Sequence, residues 1–583
     1  MGNTIESLEF KIILLVENKW NIHQIQNVEE VSSLQAVLAV DKIIAKLLSL
    51  RGVKTFDDAK YFFRPSLDML HDPFLMKGMG VAVDRIVQAI ANKEKVLIFG
   101  DYDVDGTTSV ALVYSFFKKY IPEMRYYIPD RYAEGYGISF KSIDYAAENN
   151  YSLIIALDCG IKANDKIDYA NSKNVDFIIC DHHLPGDEIP NAVAVLDPKQ
   201  HDCPYPYKEL AGCGIGFKLA QAFCIQNGID EQEVFEYLDL VVTSIAADIV
   251  PITGENRVLA HYGLKKLNAD PRPGLKALLA LNKQQDRELD INTLVFTIAP
   301  RINAAGRIEH GSKAVELLIS DTDEATEFSK KINETNSQRR DIDISITDEA
   351  FETMDLDPIT PFKKSTVLFN PSWHKGVVGI VASRMIERYY KPTIILTESN
   401  GMATGSARSV KDFDVYTAIE NCSHLLEQFG GHKFAAGLSL KTENVKAFIE
   451  AFENEVSRSI KPEMLIPTVE IDLEIALDDI NDKLIRILNQ FAPHGPHNMT
   501  PVFVSRAVLD TGFAKMVGAN HLKLEVYQPN TQLTKIEAIA FGKGDFLNFF
   551  KRNIPVDIVY KIKVNEFRGV TSIQLIIEEI KAA

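Results

Sequence analysis

The sequence lacks the features that would tie the chain to a membrane or to an oxidising compartment. Its six cysteines are scattered without any C-x-x-C pair, which argues against both a zinc site and a disulfide framework. No apolar run reaches about 20 residues, the length that a transmembrane helix requires. The N-terminal stretch MGNTIESLEF carries acids where a signal peptide would need a basic flank. We therefore expect a cytoplasmic protein with reduced thiols and no membrane partner.

Positive charge is also scarce. The chain carries 63 Lys or Arg against 80 Asp or Glu, a formal net charge of −17. This balance argues against wholesale coating of nucleic acid, but it is compatible with a local basic groove on an acidic body. Neither a low-complexity tract nor a long-period repeat occurs, which argues against disordered and solenoid architectures.

The 583 residues are too many for one hydrophobic core and predict several domains. Residues 1–90 predict a helical N-terminal region, because their apolar positions recur at helical spacing. From 91 to 325, strand-length runs such as KVLIFG and SLIIAL alternate with helical segments, which predicts an α/β domain with a parallel sheet and a helical extension. Residues 326–360 predict a connecting helix, and 361–460 repeat the α/β pattern. Residues 461–583 consist of short strand-like runs and predict a small β-barrel of the oligonucleotide-binding (OB) type.

Acidic and imidazole side chains follow several of the predicted strands. They are Asp101, Asp103 and Asp105 after KVLIFG, Asp158 after SLIIAL, Asp181, His182 and His183 after VDFIIC, and Asp248 after VVTSIAA. Because function in a parallel sheet collects beyond the carboxyl ends of the strands, we expect these groups at one edge. Any single acid of this kind could merely cap a helix. Two adjacent imidazoles beside an acid are rarely needed by packing, so the whole set favours a metal site.

The ligand types indicate which metal. A set that is mostly carboxylate, with imidazole and no thiolate, suits Mn²⁺ or Mg²⁺ better than zinc or copper. So many carboxylates suit two ions bridged by shared aspartates, a centre whose default chemistry is phosphoester hydrolysis. His183, if it is not a ligand, is free to donate a proton to a phosphate oxygen or to the leaving group.

A rival interpretation concerns the segment DVDGT at 103–107. It matches the DxDGT signature of haloacid-dehalogenase-like phosphatases, in which Asp103 would be the nucleophile and Asp105 the acid. In that family the strand runs straight into the nucleophile, whereas here Gly100, Asp101 and Tyr102 intervene. That interpretation also leaves the histidine pair without a role.

Two further motifs receive structural interpretations. Gly212-x-Gly214-x-Gly216 resembles part of a dinucleotide fingerprint, but no strand-like run leads directly into it. We interpret it as the start of a helix. Asp197, which precedes Pro198, is interpreted as an ordinary turn residue.

In their order and spacing, DYDVDG, ALDCG, CDHH and AADIVP resemble the successive motifs of the DHH phosphoesterase superfamily. Within it, PDRYAEGYG, PRINAAGRI, ATGSARS and FGGHKFAAGL make the chain similar to the RecJ family of exonucleases over nearly its whole length. The resemblance implies a DHH domain and a DHH-associated domain, joined by a long helix and followed by an OB barrel. It also implies 5′→3′ hydrolysis of single-stranded DNA with Mn²⁺ or Mg²⁺, in DNA repair and recombination. A single-strand-binding protein or a helicase is then a candidate partner.

The resemblance also assigns roles to individual residues. It implies that the metals are bound by Asp101, Asp103, Asp105, Asp158, His182 and Asp248. His183 would assist at the scissile phosphate, and with Asp105 and Asp158 it would form the catalytic set. The DNA path and its phosphates would be held by Arg131, Arg307, Ser406, Arg408 and His432.

Two alternatives and one departure accompany this interpretation. A phosphodiesterase for short oligonucleotides or cyclic dinucleotides would share the first two domains but would not need the tail. A catalytically inactive single-strand-binding scaffold would have no reason to keep so much unpaired charge. The departure is the loop FAPHGPHNMTPVF at 491–503, in which His497 stands where many family members have glycine.

The tail carries its own charge pattern. From Asn481 onward, 13 Lys or Arg face 9 Asp or Glu in an otherwise acidic chain. Candidate phosphate contacts are Lys551, Arg552, Lys561, Lys563 and Arg568. Candidate stacking aromatics are Phe546, Phe549, Phe550, Tyr560 and Phe567, although several of them suit the core of the barrel better. We expect the tail to add affinity and not chemistry, so that its removal spares the cleavage of very short oligonucleotides.

Overall fold

The structure is a computed structural model that describes residues 18–284, 287–529, 534–567 and 570–583. These residues form two compact units. The larger unit contains Gln24–Gln338 and Asp472–Ala583. The smaller unit contains Arg339–Ile471 together with the chain up to His23. Each unit thus combines segments that are distant in sequence.

A short strand and four helices open the described chain. Their bounds are β1 (Lys19–Ile22), α1 (Val28–Leu38), α2 (Lys42–Leu50), α3 (Phe56–Phe63) and α4 (Met79–Ala91). Helical spacing buries one side of α2 through Ile44, Leu47 and Leu48. The helices predicted from the apolar spacing are therefore present, whereas the sequence does not predict β1. Residues 1–17 lie outside the described part.

A five-stranded parallel sheet follows. Its elements are β2 (Lys95–Gly100), α5 (Val104–Phe117), β3 (Met124–Tyr127), α6 (Phe140–Glu148), β4 (Tyr151–Leu157), α7 (Asn164–Ser172), β5 (Asp176–Cys180) and β6 (Ala194–Leu196). The strand order is β3-β2-β4-β5-β6, and every pairing is parallel. Helix α5 packs on one face, while α6 and α7 pack on the other. The predicted parallel sheet is confirmed.

The helical extension continues the larger unit. Its helices are α8 (Gly212–Asn227), α9 (Gln232–Phe235), α10 (Leu238–Ala247), α11 (Gly254–Ala269), α12 (Pro273–Leu281), α13 (Ile291–Thr293), α14 (Ala299–Ile308) and α15 (Ser312–Ile319). A buried ion pair fixes α8 to α11, because Nζ of Lys218 lies 2.8 Å from Oε1 of Glu255. Tyr205 donates its hydroxyl to the same carboxylate over 2.7 Å. Every charge in this cluster therefore has a partner.

A long helix leads from the larger unit into the smaller one. The elements are α16 (Thr322–Leu356), β7 (Thr366–Phe369), α17 (Val378–Tyr389), β8 (Thr393–Ser399), β9 (Met402–Arg408), α18 (Val415–Glu420), β10 (Gln428–His432), β11 (Ala435–Lys441), α19 (Val445–Ser459) and β12 (Thr468–Ile471). The sheet order is β10-β11-β9-β8-β7, with only β7–β8 parallel among its pairings. Strand β12 pairs in parallel with β1. The predicted connecting helix and second α/β fold are both present.

The C-terminal segment forms a barrel. Its elements are β13 (Leu473–Glu474), α20 (Asp482–Asn489), β14 (Val502–Asp510), β15 (Lys515–Val517), β16 (His521–Tyr527), β17 (Ile536–Ala540), α21 (Leu547–Lys551), β18 (Val556–Phe567) and β19 (Val570–Ala582). The sheet runs β13-β14-β18-β19-β17-β16-β15, and an extra pairing of β14 with β16 closes it. Closure removes the free edges that an open sheet would expose. The predicted small barrel is confirmed.

The barrel is not an independent appendage. One hydrophobic core contains Val31, Leu34 and Ile44 from the N-terminal helices together with Phe503 and Tyr560 from the barrel. Removal of the tail would therefore expose the inner faces of α1 and α2 to water. That the tail adds affinity and not chemistry stays a prediction, and its test by deletion depends on whether the chain folds after it loses most of this shared core.

The loop that departs from the family pattern lies between the barrel and α11. The guanidinium of Arg257 donates to the main-chain carbonyls of Phe491 and Ala492, each over 3.0 Å. The amide of Ile252 donates to the carbonyl of Pro496 over 2.9 Å. His497 has a positive φ of 62°, which explains why glycine suits this position.

Two findings concern the expectations about compartment. All six cysteines are buried free thiols. Among the described residues, no helix is both long enough and apolar enough to cross a bilayer.

Candidate metal centre

Three neighbouring strands of the parallel sheet end in candidate ligands. Strand β2 is followed directly by Asp101, β4 by Asp158 and β5 by Asp181. The strands lie side by side as β2-β4-β5, so their carboxyl ends form one edge. The end of α10 brings Asp248 to the same edge, because its Oδ2 atom lies 3.6 Å from Nε2 of His182. The strand-end argument from the sequence therefore holds for Asp101, Asp158 and Asp181, and it is wrong for Asp248, because VVTSIAA lies in the helix α10 and not in a strand.

His182 lies at the centre of this cluster. Its Nε2 atom is 3.1 Å from Oδ1 of Asp158 and 3.6 Å from Oδ2 of Asp105. Neither ring nitrogen makes a hydrogen bond within the described residues. Burial lowers the pKa of His182, which keeps the imidazole neutral. A neutral, buried imidazole that faces carboxylates without bonding to them has the state that a metal ligand needs.

The carboxylates around it are buried together. Burial, and then the charge of Asp105, raise the pKa of Asp158 well above its ordinary value. Burial and the neighbouring carboxylates raise the pKa of Asp248 to about 8. Oδ2 of Asp101 is buried without a hydrogen-bond partner in the described chain, and burial followed by Asp103 raises the pKa of this carboxyl. Such repulsion is relieved by cations, and the donor set fits two divalent ions of the Mn²⁺ or Mg²⁺ type.

The carboxylate of Asp105 is held by three groups from the helical extension. The amides of Gly212 and Cys213 donate to it over 2.7 and 2.8 Å, and the hydroxyl of Ser244 donates over 2.7 Å. A Cβ at Gly212 would lie only 2.8 Å from Cβ of Asp158. The glycine therefore lets the start of α8 approach both acids. The interpretation of the glycine motif as a helix start is confirmed.

The local backbone positions two of the acids. Asp103 caps α5, since its Oδ1 accepts from the amide of Gly106 over 3.0 Å. Asp158 has a left-handed φ of 60°, which Asp tolerates better than most residues. Its amide donates to the carbonyl of Cys180 over 2.8 Å. Strained backbone of this kind concentrates at functional sites.

His183 is held by the first residue of the DHH triplet. Its Nδ1 lies 2.7 Å from Oδ1 of Asp181, whose Oδ2 accepts from the amide of Ile161 over 2.9 Å. Burial would raise the pKa of Asp181, but the hydrogen bond and charge of His183, together with the amide of Ile161, outweigh burial and lower the pKa to about 2. Burial would lower the pKa of His183, but Asp181 raises it to about 9. The half-exposed Nε2 of His183 lies 3.4 Å from the hydroxyl of Tyr136.

Arg131 and Arg307 both lie near Tyr102 of the motif DYDVDG. The guanidinium carbon of Arg131 is 4.8 Å from the ring centroid of Tyr102. Burial raises the pKa of Tyr102 to about 12, and the charges of both arginines oppose that shift. A Cβ at Gly306 would lie 2.5 Å from the carbonyl oxygen of Tyr102, so the residue before Arg307 must be small. Both predicted arginines therefore belong to the larger unit, beside the acidic cluster.

Ser406, Arg408 and His432 belong to the smaller unit. Nη1 of Arg408 donates to Oγ of Ser406 over 2.7 Å. A Cβ at Gly379, in the first turn of α17, would lie 3.0 Å from Nη2 of Arg408. His432 and Arg408 both pair with Ala435, so their backbones lie in one row, roughly 10 Å apart. An arginine fork, a hydroxyl and a helix N-terminus are groups that bind phosphate.

A row without side chains lies next to these groups. Ser406 pairs with Gly437, which in turn pairs with Gly430. A Cβ at Gly430 would meet nothing within 4 Å, so packing does not require glycine there. Gly431 differs, because its φ is 146° and a Cβ would lie 2.3 Å from the carbonyl of Ala435. The bare row offers a flat strip to which an extended backbone can come close.

The barrel corrects one expectation. The rings of Phe550 and Tyr560 are buried in the shared core, and Phe546 and Phe549 pack against it. The set of candidate stacking aromatics is therefore smaller, because the rings of the buried pair fill the barrel and belong to its core. The side chain of Phe567 and all of Arg568 lie outside the described residues.

Other aromatics of the barrel are exposed. Phe513 is 41% exposed and Phe541 is 54% exposed. Nζ of Lys515 lies 4.5 Å, and Nζ of Lys523 lies 6.0 Å, from the ring centroid of Phe513. Lys551 and Arg552 are also exposed, at the end of α21. Exposed rings flanked by lysines are typical of a surface that tracks a single strand.

Comparisons with known proteins agree with this geometry. The DHH family N-terminal domain matches residues 95–245, the DHHA1 domain 363–458 and the RecJ OB domain 471–579. The chain is 37% identical to the single-stranded-DNA-specific exonuclease RecJ of Bacillus subtilis, over 97% of this chain and 71% of that protein. It is 32% identical to the Escherichia coli protein of the same name, over 95% of this chain and 98% of that one.

This chain belongs to the RecJ family. Two solved structures bear on its fold. RecJ from Thermus thermophilus, in complex with Mn²⁺, has a TM-score of 0.83 at 24% identity and covers 97% of this chain and 80% of its own. An exonuclease RecJ bound to manganese has a TM-score of 0.60 at 29% identity and covers 68% of this chain and 98% of its own. The RecJ-family fold therefore extends over nearly the whole chain.

Membership in the RecJ family excludes the haloacid-dehalogenase interpretation of residues 103–107. The DHH match covers these residues together with Asp158 and the histidine pair. Asp103 serves as a helix cap, and both carboxylate oxygens of Asp105 accept hydrogen bonds from α8. Neither carboxylate is therefore free to act as the nucleophile or the acid that the haloacid-dehalogenase interpretation requires.

Sequence reasoning about this RecJ-family chain missed three side chains. Tyr102 and Tyr136 lie inside the motifs DYDVDG and RYAEGYG. Their position in these motifs is the sequence signal that indicates a place beside the acidic cluster. Asp197 was interpreted as a turn residue, and its Oδ1 does accept from the amide of Lys199 over 2.7 Å. Its Oδ2, however, is buried without a partner among the described residues, and burial raises the pKa of this carboxyl to about 7. Nothing in the sequence indicates that burial.

Proposed function

We propose that this chain is a metal-dependent exonuclease that hydrolyses the phosphodiester bonds of single-stranded DNA in the 5′→3′ direction. The observation that carries the proposal is the cluster in which Asp105, Asp158 and Asp248 surround Nε2 of His182, in a chain of the RecJ family. The relatives named above are single-stranded-DNA-specific exonucleases. The polarity follows from the family resemblance.

Mn²⁺ or Mg²⁺ is the cofactor that the donor set suits. Thermus thermophilus RecJ has been crystallised in complex with each of these ions. The ligands are Asp101, Asp103, Asp105, Asp158, His182 and Asp248. When bound, such a pair of ions lowers the pKa of a water molecule and neutralises phosphate oxygens.

The side chains prepare the site for the phosphate. The amides and the hydroxyl that hold Asp105 fix its carboxylate without using a cation. Asp181 holds His183 as an imidazolium at neutral pH, because it raises the pKa of that ring to about 9. His183 is then a donor to a phosphate oxygen or to the leaving group. Tyr136, within hydrogen-bonding reach of His183, limits the directions in which the ring can point.

Five side chains hold the DNA strand by its phosphates. Arg131 and Arg307 act beside the acidic cluster, where a phosphate needs cationic contacts to approach so many carboxylates. Ser406, Arg408 and His432 act in the smaller unit, beside the strip of glycines. The barrel adds affinity through Phe513, Phe541 and the lysines next to them, by stacking and by counterion release.

The proposed setting is the cytoplasm, and it agrees with six reduced cysteines. A single-strand-binding protein or a helicase is the proposed partner, because an enzyme that attacks free strands depends on a source of them. The proposed enzyme acts in DNA repair and recombination, as the family resemblance implies.

End-labelled single strands test the function. The purified protein is incubated with strands labelled at the 5′ or the 3′ end, in Mn²⁺ and then in EDTA. We expect the 5′ label to be released at once as a mononucleotide, whereas the 3′ label remains on progressively shorter strands. EDTA should stop both reactions. Immediate release of the 3′ label would reverse the polarity, and preference for a cyclic dinucleotide would favour the small-substrate alternative.

A further inference from the structure

A strained residue directly follows one of the proposed metal ligands. Helix α10 ends at Ala247 with Asp248 as its C-cap, and Ile249 comes next with φ at 57°. This position after a helix favours Gly or Asn in the left-handed conformation. A β-branched residue there is an outlier, because its Cβ crowds the backbone. The chain thus holds an unfavourable conformation at the edge of the metal centre.

Packing does not compensate for this strain. The side chain of Ile249 is 66% exposed, while those of Val250 and Ile252 are only 8% and 1% exposed. The turn therefore buries its later apolar residues and leaves the first one in water. The strained backbone and the exposed apolar surface of Ile249 each lower the stability of the fold. A residue with this combination requires a reason other than folding.

The position of Ile249 supplies that reason. Oδ2 of the preceding Asp248 lies 3.6 Å from Nε2 of His182, so the turn borders the cluster at which the proposed function binds a phosphate. Two more exposed apolar side chains lie next to His183, which belongs to the same edge of the sheet. Leu184, 70% exposed, follows His183 directly, and Tyr136, 54% exposed, contacts His183 through its hydroxyl. The parts of a nucleotide next to its phosphate are a sugar and a base, and the base has an apolar face.

We propose that Ile249 is a substrate-contacting residue that packs against the base of the terminal nucleotide, and that the left-handed turn exists to present it. This inference rests on the proposed exonuclease function. An apolar contact with a base face does not distinguish one base from another, so it secures the strand end without a sequence preference. The contact contributes to the binding of the strand and not to the chemical step, since Ile249 has no group that transfers a proton.

Substitution by glycine separates this role from a structural one. Ile249→Gly relieves the strain, so the melting temperature should stay the same or rise. KM for a single strand should nevertheless increase about tenfold, the size expected for loss of one apolar contact, with kcat little changed. Ala39→Gly is the matched control, because Ala39 also has a left-handed φ, of 51°, after a helix remote in sequence. It should relieve strain without changing KM.

Two further measurements test the proposed contact between Ile249 and the terminal base. A strand whose 5′-terminal residue is abasic should lose affinity with the wild type but show little additional loss with Ile249→Gly, whereas Ile249→Val should keep most of the wild-type affinity. An unchanged KM in Ile249→Gly, or a lowered melting temperature, would overturn the proposal. Binding of the same strands in Ca²⁺, followed by fluorescence anisotropy, gives the comparison without hydrolysis. If the wild type binds strands but does not cut them, the exonuclease function fails while the contact is still judged from binding.

Discussion

Two clusters of buried charge in the larger unit differ in how they are compensated. Lys218 and Glu255 are both fully buried, 2.8 Å apart, and Tyr205 donates to the same carboxylate. In the metal centre, by contrast, the carboxylates of Asp105 and Asp158 face an imidazole that burial keeps neutral. The first cluster is complete in the folded chain, and the second is complete only with cations that the chain does not contain.

The difference separates a structural use of charge from a functional one. A buried ion pair with all its partners joins α8 to α11 and needs nothing more. A group of like charges costs stability unless a ligand neutralises it, so its persistence indicates binding. Changes in the two clusters should therefore have opposite effects on activity and on stability.

The largest effect is expected from Asp158→Ala. Loss of this carboxylate should lower the rate of single-strand hydrolysis at least about a thousandfold, because several kcal/mol of charge stabilisation depend on the metals that it helps to hold. In EDTA the loss of stability should be small, because the repulsion that is removed offsets the strain that alanine adds at a left-handed φ of 60°. Initial rates in Mn²⁺ and melting curves in EDTA check both points. Wild-type activity that persists in EDTA would contradict the assignment.

The opposite pattern is expected from Lys218→Met. Glu255 would remain buried without its cation, so the free energy of unfolding should fall by about 3–5 kcal/mol. The rate per folded molecule should stay near that of the wild type. Urea denaturation measures the loss, and the double variant Lys218→Met with Glu255→Gln should recover part of it. A single variant as stable as the wild type would show that the pair is not needed.

Sequence reasoning predicted one side of this comparison better than the other. Strand-end logic placed Asp101, Asp158 and the DHH triplet at one edge, because strand period and parallel topology follow from local patterns. The pairing of Lys218 with Glu255 joins two helices whose contact no local pattern specifies. The same holds for the shared core of barrel and N-terminal helices, and for the orientation of the barrel aromatics. Tertiary packing decides these features, and one sequence carries no direct signal for it.

A third buried ionisable group, Asp197, extends the comparison to the pH dependence of stability. Burial raises the pKa of Asp197 from an ordinary value near 3.8 to about 7. A carboxyl whose pKa rises on folding favours the folded state below its unfolded pKa, and this advantage is lost as the pH rises through the folded pKa. Asp197→Asn should therefore gain stability relative to the wild type between pH 4 and 7, reaching about 1–3 kcal/mol at pH 8. Melting curves across this range, in Mn²⁺, would show a pH-independent difference if the carboxyl titrated normally.

The smallest effect is expected from His497→Gly, which tests backbone strain without changing a buried charge. His497 holds a left-handed φ of 62° in the loop at 491–503. Replacement by glycine should raise the free energy of unfolding by roughly 0.5–1 kcal/mol, because relief of the strain slightly exceeds the added entropy of the unfolded chain. Chemical denaturation beside the wild type measures the change. A loss of stability would mean that the imidazole makes a contact worth more than the strain.

The shared core of the N-terminal helices and the barrel has a consequence for biosynthesis. Val31 and Leu34 leave the ribosome early, yet their partners Phe503 and Tyr560 are translated more than 450 residues later. At about 5–20 residues per second, the early helices wait roughly 20–100 s with their apolar faces uncovered. The opening segment of the chain is therefore a natural client for a chaperone during translation, and its contacts are among the last to form.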